Sequence, residues 1–193
     1  MKKCLFAFAA ILLTSFVSNA QIRFGANAGA NFTNLMGKDV ESDPQPGFYI
    51  GAHCAIPLTE KLNLIPALRF SAEGAKEDFL GTTFHLNTSF INIPVLLNYQ
   101  TGKLFFEVGP QVGLLISAKM KVDGDSEDVK EEFNSMNFSA AAGAGYMITN
   151  NIGVNLRLNI GLVNIEKESD ETISMSGLQL GVLYTFGSAK EKK

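Results

Sequence analysis

The sequence predicts an all-β fold, an eight-stranded antiparallel up-and-down barrel that crosses a membrane with its strands. Eight amphipathic segments can be recognised, and the connections between them alternate between long and short. Short turns at one rim and longer loops at the other are typical of outer-membrane barrels. After the first twenty residues no apolar run approaches the ~20 residues of a membrane helix, so a spanning mature chain would have to use strands. The predicted strands are Ile22–Asn34, Gly47–Pro57, Leu62–Gly74, Phe84–Tyr99, Lys103–Met120, Met136–Ile148, Ile152–Ile165 and Ile173–Phe186.

The N-terminal residues have the composition of a secretory signal peptide. Lys2 and Lys3 form a basic n-region, Cys4–Phe16 an apolar core, and Ser18–Ala20 a small-residue cleavage site. An uncleaved anchor is the alternative, but the apolar run is short for a membrane span. We therefore predict three regions, a signal peptide (1–20), a barrel (21–186) and a short periplasmic tail (187–193).

The mature chain is acidic and has one cysteine. The whole sequence has 16 basic and 19 acidic residues, and loss of Lys2 and Lys3 leaves 14 and 19, a net charge of −5. No basic patch could follow a phosphate backbone, which argues against nucleic acid as a partner. Cys4 leaves with the signal peptide, so Cys54 has no cysteine to pair with inside the mature chain, and its apolar neighbours indicate a small hydrophobic side chain.

The first four predicted strands each show a two-residue period. In the first, Ile22 begins an even-numbered apolar face and Arg23 an odd-numbered face of small and polar residues. In the second, His53 has the polar-face parity. The third has Arg69 and Glu73 on the polar face. In the fourth, the apolar parity changes within 88–91, which predicts a β-bulge there.

The last four predicted strands follow the same rule. The fifth has Glu107 on its polar face, and the sixth and seventh alternate apolar residues with Gly, Asn, Ser and Arg157. In the eighth the parity changes near Gly177, which predicts a second bulge. A water-soluble barrel such as a lipocalin has an apolar interior and a charged exterior, whereas here one face is apolar throughout and the strand charges lie on the other. The pattern therefore predicts a lipid-facing apolar wall around a polar lumen.

Aromatic residues are concentrated near the strand ends, as expected for the two girdles of a membrane barrel. Three prolines, in contrast, fall inside predicted strands, where they cannot donate to the sheet, and we expect local bulges around Pro66, Pro94 and Pro110. The predicted girdle near the short turns contains Phe24, Tyr99, Phe106, Tyr146, Tyr184 and Phe186, and the other contains Phe32, Phe48, Phe70, Phe84 and Phe138.

Three stretches, Phe24–Phe32, Phe90–Tyr99 and Val108–Gly113, give the chain a family likeness. It resembles the PorT-like outer-membrane β-barrel proteins of the Bacteroidetes type, over essentially the whole mature chain. The resemblance implies fold and location. The name-giving member is linked to protein secretion across the outer membrane, but no residue here can be matched to that role. The last strand, which ends at Phe186, also resembles the signal read by the barrel-assembly machinery, which implies that machinery as a partner during insertion.

The segment Lys121–Phe133 is strongly acidic and begins like a calcium loop at Asp123. The EF-hand pattern needs glycine where Asp128 stands, so a solvated acidic loop is the better interpretation and we predict no metal site. Weak bridging of divalent cations to neighbouring lipid phosphates is the alternative.

Catalytic residues are not indicated by the sequence. His53 and His85 are the only histidines, and neither has a serine nucleophile motif beside it. We therefore expect no enzyme activity and no cofactor.

Three charged residues of inward parity, Arg69, Glu107 and Arg157, form a predicted structural charge cluster in the lumen. They lie four to eight residues from the inner turns, and in a narrow barrel an unpaired buried charge is strongly disfavoured. We expect Glu107 to pair with Arg157, Arg69 or both, and Glu73 to be a separate, more exposed carboxylate.

The predicted function is that of a monomeric outer-membrane barrel with a structural or surface-interaction role through its outer loops. Eight strands leave an interior just wide enough for side chains, so we expect the lumen to be filled and to form no open solute channel. The alternative is an accessory component of an envelope secretion or assembly complex, and the third hypothesis is a lipid-modifying enzyme. The expected partners are outer-membrane lipid and an unidentified envelope protein, with both mature termini in the periplasm.

Overall fold

The computed structural model describes residues 22–37, 42–79, 82–122, 125–165, 167 and 173–187. The predicted signal peptide and residues 188–193 of the predicted tail lie outside this range. One 3₁₀ turn, Lys130–Glu132, follows the short strand β6, and no helix within the described residues is long and apolar enough to cross a membrane. The strands are β1 (Arg23–Met36), β2 (Asp43–Pro57), β3 (Leu62–Phe79), β4 (Thr82–Thr101), β5 (Leu104–Val122), β6 (Asp125–Asp128), β7 (Met136–Met147), β8 (Ile152–Gly161) and β9 (Ser174–Thr185).

Eight of these strands close into an antiparallel barrel, as predicted. The order around the wall is β4-β3-β2-β1-β9-β8-β7-β5, and pairing of β5 with β4 completes the circle. The short strand β6 pairs only with the end of β5, beyond the point where β7 leaves it. Closure gives every wall strand two neighbours, so the hydrocarbon meets no open sheet edge.

The two rims of the barrel differ. Three tight turns, at residues 58–61, 102–103 and 148–151, stand together at the end that we call the turn rim, and the opposite end is the loop rim. Thr59 and Thr149 act alike, because each hydroxyl oxygen accepts hydrogen bonds from the second and third following backbone N–H groups at 2.9–3.3 Å. Gly102 has φ +60°, a conformation that favours glycine.

Both ends of the described barrel lie at the turn rim. The N–H of Phe186 donates to the carbonyl of Phe24 at 2.7 Å, and the N–H of Thr185 donates to the carbonyl of Asn151 at 2.8 Å. An even number of strands requires this arrangement. That the turn rim faces the periplasm stays a prediction.

The predicted faces are confirmed along the wall. On β9, Leu180 is 57% exposed while the adjacent Gln179 is 3% exposed. The exposed residues are apolar, as lipid requires, and the lumen side is polar over much of its length. Nine of the eleven predicted girdle aromatics are exposed, and Phe70 and Phe84 are half-buried.

The lumen near the loop rim is apolar, however, and this explains both changes of parity in the sequence. Leu86 and Phe90 on β4 and Met175 on β9 point inward, into a cluster that we call the apolar plug. The uniformly polar lumen that we predicted is therefore wrong at this end. The plug is formed by Leu86, Phe90, Leu115, Ala118, Val129, Phe133, Ile165 and Met175.

Of the two predicted bulges, the one within 88–91 lies at the predicted place but on the partner strand, and the one near Gly177 is not found. On β4 the even-numbered residues from Leu86 to Asn92 stay buried, and the extra residue is Ile116 of β5, because Ser89 pairs with Ser117 and Phe90 with Leu115. Near Gly177 the pairing of β9 with β1 runs on without a shift. A further bulge in β2, between Pro44 and Phe48, was not predicted.

The three strand prolines are accommodated without bulges, which corrects another expectation. Opposite Pro66 the β2–β3 pairing is interrupted between His53↔Ala67 and Ile56↔Leu64, and it resumes in the same register. The β3–β4 and β4–β5 pairings are interrupted in the same way next to Pro94 and Pro110. The wall omits a few hydrogen bonds there instead of inserting a residue.

Candidate functional site

The centre of the lumen contains a buried ion pair. Glu107 of β5 and Arg157 of β8 are 6% and 2% exposed, and Glu107 Oε1 accepts from Arg157 Nη2 at 2.5 Å and from Nε at 2.8 Å. Asn155 Nδ2 donates to the same oxygen at 3.0 Å, and Arg157 Nη1 donates to Gln179 Oε1 at 3.4 Å. Charge-assisted hydrogen bonds of this kind are the strong ones, and they offset part of the cost of burying two charges.

A glycine makes this pair possible. Strand β7 lies between β5 and β8, and Gly143 is the Cα partner of both Glu107 and Arg157. A Cβ at Gly143 would lie 2.6 Å from the carbonyl oxygen of Leu156 and 3.2 Å from Arg157 Cβ. The arginine can therefore reach across β7 because Gly143 has no side chain.

Arg69, the third residue of the predicted cluster, is not brought into the ion pair. It is 4% exposed on β3, and its guanidinium carbon lies 5.4 Å from the centre of the Tyr49 ring. Its Nε and Nη1 atoms are buried and have no hydrogen-bond acceptor among the described residues. The side chain lies over Gly51, the β2 residue paired with it. Glu73 is half-buried and accepts from Asn92 Nδ2 at 2.9 Å, at a separate place as expected.

The lumen has a cavity of about 490 Å³ that reaches the turn rim. Residues of all three tight turns line it, together with Tyr49, His53, Arg69, Glu107 and Arg157. The expectation that side chains fill the whole lumen is therefore wrong for this half. The two buried arginines lie along the wall over glycines and leave the space between them open.

The two histidines have amide or hydroxyl neighbours. His53 Nδ1 lies 3.2 Å from Asn27 Nδ2, and its Nε2 lies 3.4 Å from Thr185 Oγ1. His85 Nδ1 lies 3.4 Å from Gln45 Oε1. No hydrogen bond joins either ring to a serine or cysteine within the described residues.

The acidic loop is fixed to the barrel. Val129 and Phe133 are each 6% exposed in the apolar plug, and the N–H of Val129 donates to the carbonyl of Ala118 at 3.1 Å. Between these anchors the loop side chains are exposed, and most of them are acidic. Asp123 and Gly124 lie outside the described residues, and no group of three or more His, Cys, Asp or Glu in the described part of the chain could hold a metal ion.

Sequence reasoning missed the plug and the cavity. Val129 and Phe133 could have been noticed as the apolar residues of an otherwise charged loop. Parity placed Arg69 in the lumen, but it carries no information on whether a carboxylate lies within reach.

Comparison with known proteins agrees with the geometry. A family model described as an outer membrane protein beta-barrel domain matches residues 17–167. Neisserial surface protein A is similar in structure, with a TM-score of 0.56 and 17% identity, over 84% of this chain and 97% of that one. Ail, the attachment invasion locus protein of Yersinia pestis, in complex with the heparin analogue sucrose octasulfate, gives a TM-score of 0.52 and 14% identity, over 86% of this chain and 99% of that one. No curated protein sequence matches the chain significantly.

Proposed function

Because the chain belongs to the outer membrane protein beta-barrel domain family and lies in an outer membrane, we propose that it is a non-catalytic surface-interaction protein that acts through its loop rim. In this proposal the turn rim faces the periplasm and the loop rim faces the cell exterior.

The anchored acidic loop is the observation that carries the proposal. Burial of Val129 and Phe133 in the apolar plug fixes the C-terminal end of the loop, and the pairing of β6 with β5 fixes Asp125–Asp128. A loop tied at two points loses less conformational entropy on binding than a free one. Such a loop is suited to recognition.

The charge of the loop indicates the kind of partner. Its exposed acidic residues favour a cationic surface, such as a lysine- or arginine-rich protein segment. Ail was crystallised with a sulfated heparin analogue, which is an anion, so the partner proposed here has the opposite charge. The exposed acidic residues of the loop are Asp125, Glu127, Asp128, Glu131 and Glu132.

The closed lumen supports interaction over transport. The apolar plug occupies the half of the lumen near the loop rim, and the Glu107–Arg157 pair joins β5 to β8 on the turn-rim side of the plug. The cavity of the turn-rim half therefore ends at the plug and does not continue to the loop rim. The proposed role accordingly includes no open solute channel.

Site-specific cross-linking tests the proposal. A photo-reactive residue is placed at Glu127 on the loop rim or at Asn150 on the turn rim, both exposed, and envelopes of irradiated cells are analysed for adducts. We expect a protein adduct from position 127. The fourfold change Asp125→Asn, Glu127→Gln, Asp128→Asn and Glu131→Gln, with the cross-linker moved to Glu132, should remove the adduct and leave heat-modifiable gel migration unchanged.

The same experiment distinguishes the proposed surface role from the alternative that the PorT-like resemblance implies, an accessory of a secretion complex. The stretches Phe90–Tyr99 and Val108–Gly113 support a place near the PorT-like proteins, and an accessory of a secretion complex would meet its partner at the periplasmic rim. Adducts only from position 150 would contradict the surface role and favour the accessory role. A change in lipid composition in a deletion strain, restored by the wild-type gene but not by His53→Ala, would contradict the non-catalytic role.

A further inference from the structure

We propose that the turn-rim cavity is a binding site for a small soluble oxyanion, a molecule that bears a phosphate or carboxylate group, and that Arg69 is its principal ligand. This site is independent of the partner at the loop rim.

The unpartnered guanidinium of Arg69 is the first observation. Arginine stays charged in proteins, and a buried charge is strongly disfavoured unless it is paired and hydrogen-bonded. Arg157 meets this requirement with Glu107, whereas two buried nitrogens of Arg69 have no acceptor among the described residues. The ring of Tyr49 orients the guanidinium but accepts no in-plane hydrogen bond. An oxyanion supplies both the charge and the acceptors that are missing.

The charge of the whole cavity points the same way. Five basic residues line it, and only two acidic ones do. Glu107 is already paired with Arg157, so the remaining lining has four basic residues and one acidic residue, Glu60. The basic residues are Arg23, Lys61, Arg69, Lys103 and Arg157, and the acidic ones are Glu60 and Glu107.

Shape and access are the third observation. A volume of about 490 Å³ lies within the range of small-molecule sites. Lys61 and Lys103 stand exposed in or next to the tight turns, so an incoming anion meets positive charge at the rim before it reaches Arg69. The amides of Asn63 and Asn98 line the same space and add neutral donors. The closed wall of strands excludes lipid tails, which favours a soluble ligand over a headgroup.

Arginine side-chain NMR can test the site directly, because the chain has only three arginines, Arg23, Arg69 and Arg157. The mature protein is labelled with ¹⁵N-arginine, placed in phosphatidylcholine nanodiscs in a phosphate-free buffer, and its three Nε–Hε signals are assigned by Arg→Lys variants. Sodium phosphate is then titrated against chloride at constant ionic strength. We expect the Arg69 signal to shift saturably and the Arg157 signal to stay in place.

Calorimetry with variants completes the test. Arg69→Gln should weaken phosphate binding at least about tenfold, the value of one hydrogen bond between charged groups. Lys119→Gln removes the same charge from an exposed position near the loop rim and should bind phosphate like wild type. If Arg69→Gln does not fold, the wild-type Arg69 signal decides.

Three results would overturn the proposal. The first is an Arg69 signal that ignores phosphate, which would mean hydration by water alone. The second is an equal, unsaturable shift of all three signals, which would mean general screening. The third is an Arg69 signal that responds to phosphatidylglycerol in the nanodisc but not to free phosphate, which would mean that Arg69 pairs with a lipid headgroup and not with a soluble oxyanion.

Discussion

Glu107→Gln should destabilise the barrel by about 3–5 kcal/mol, because it leaves Arg157 buried without a counter-charge. Three donors converge on Glu107 Oε1, at 2.5, 2.8 and 3.0 Å, and Arg157 is 2% exposed, so little of the guanidinium is open to water that could replace the carboxylate. The amide oxygen of glutamine can still accept one or two of these bonds, which places the expected cost near the lower value.

Urea unfolding in the presence of lipid vesicles measures this cost. The chain has no tryptophan, so folded and unfolded fractions are best counted by heat-modifiable gel migration. Glu73→Gln is the matched control. Glu73 is half-buried, and Asn92 donates to it at 2.9 Å, so the loss should be about 1 kcal/mol.

A double-mutant cycle tests whether Glu107 and Arg157 stabilise the barrel as a pair. Arg157→Gln alone leaves Glu107 unpaired, and the double variant removes both charges, so it should cost less than the two single changes summed. Strict additivity of the two changes would refute the view that the pair acts as a unit.

Three other predictions concern the wall, the lipid face and the loop. Gly143→Ala should cost about 1–3 kcal/mol in the same assay, because the new methyl group would lie 2.6 Å from the carbonyl oxygen of Leu156. The same change is also made in the Glu107→Gln, Arg157→Gln double variant. A cost that is no larger in wild type than in this variant would show that the methyl group does not disturb the ion pair. Leu158→Arg on the exposed face should lower the free energy of unfolding by about 2–4 kcal/mol near the bilayer midplane, whereas the inward change Asn159→Ser should leave it almost unchanged. Equal shifts of heat-modifiable migration for the two variants would contradict the assignment of the faces. Protease added to intact cells should cut within 121–133 and spare the 187–193 tail. Cleavage of the loop should be faster in Phe133→Ser, because the loop loses an anchor in the apolar plug. Removal of the tail from intact cells would reverse the proposed orientation.

The wall of this barrel could be predicted because lipid imposes a period of two on every strand. Leu178, Gln179 and Leu180 alternate in sequence and in exposure alike. This two-residue period does not indicate, however, how far along the barrel axis a residue lies. Leu86 is apolar because it packs in the plug, yet the sequence could not distinguish that environment from lipid, and the inward apolar residue was interpreted as a bulge.

The charge cluster was only partly predictable for a related reason. Parity places Arg69, Glu107 and Arg157 in the lumen, and the structure puts Glu107 against Arg157. Which arginine meets the carboxylate depends on the stagger between neighbouring strands, a property of the closed barrel. The role of Gly143 between the two charges follows from the same stagger.

The pairing of β1 with β9 also has a kinetic consequence. Gly25 and Thr185 are neighbours in the wall, although nearly the whole of the described chain separates them. Contacts so distant in sequence slow folding, since the entropy of closing a long loop is lost before the contact forms. Until β9 is delivered, β1 exposes an unpaired edge, which is a template for aggregation. The chain must therefore reach the membrane unfolded and protected from aggregation, and its last strand sets the earliest moment at which the barrel can close.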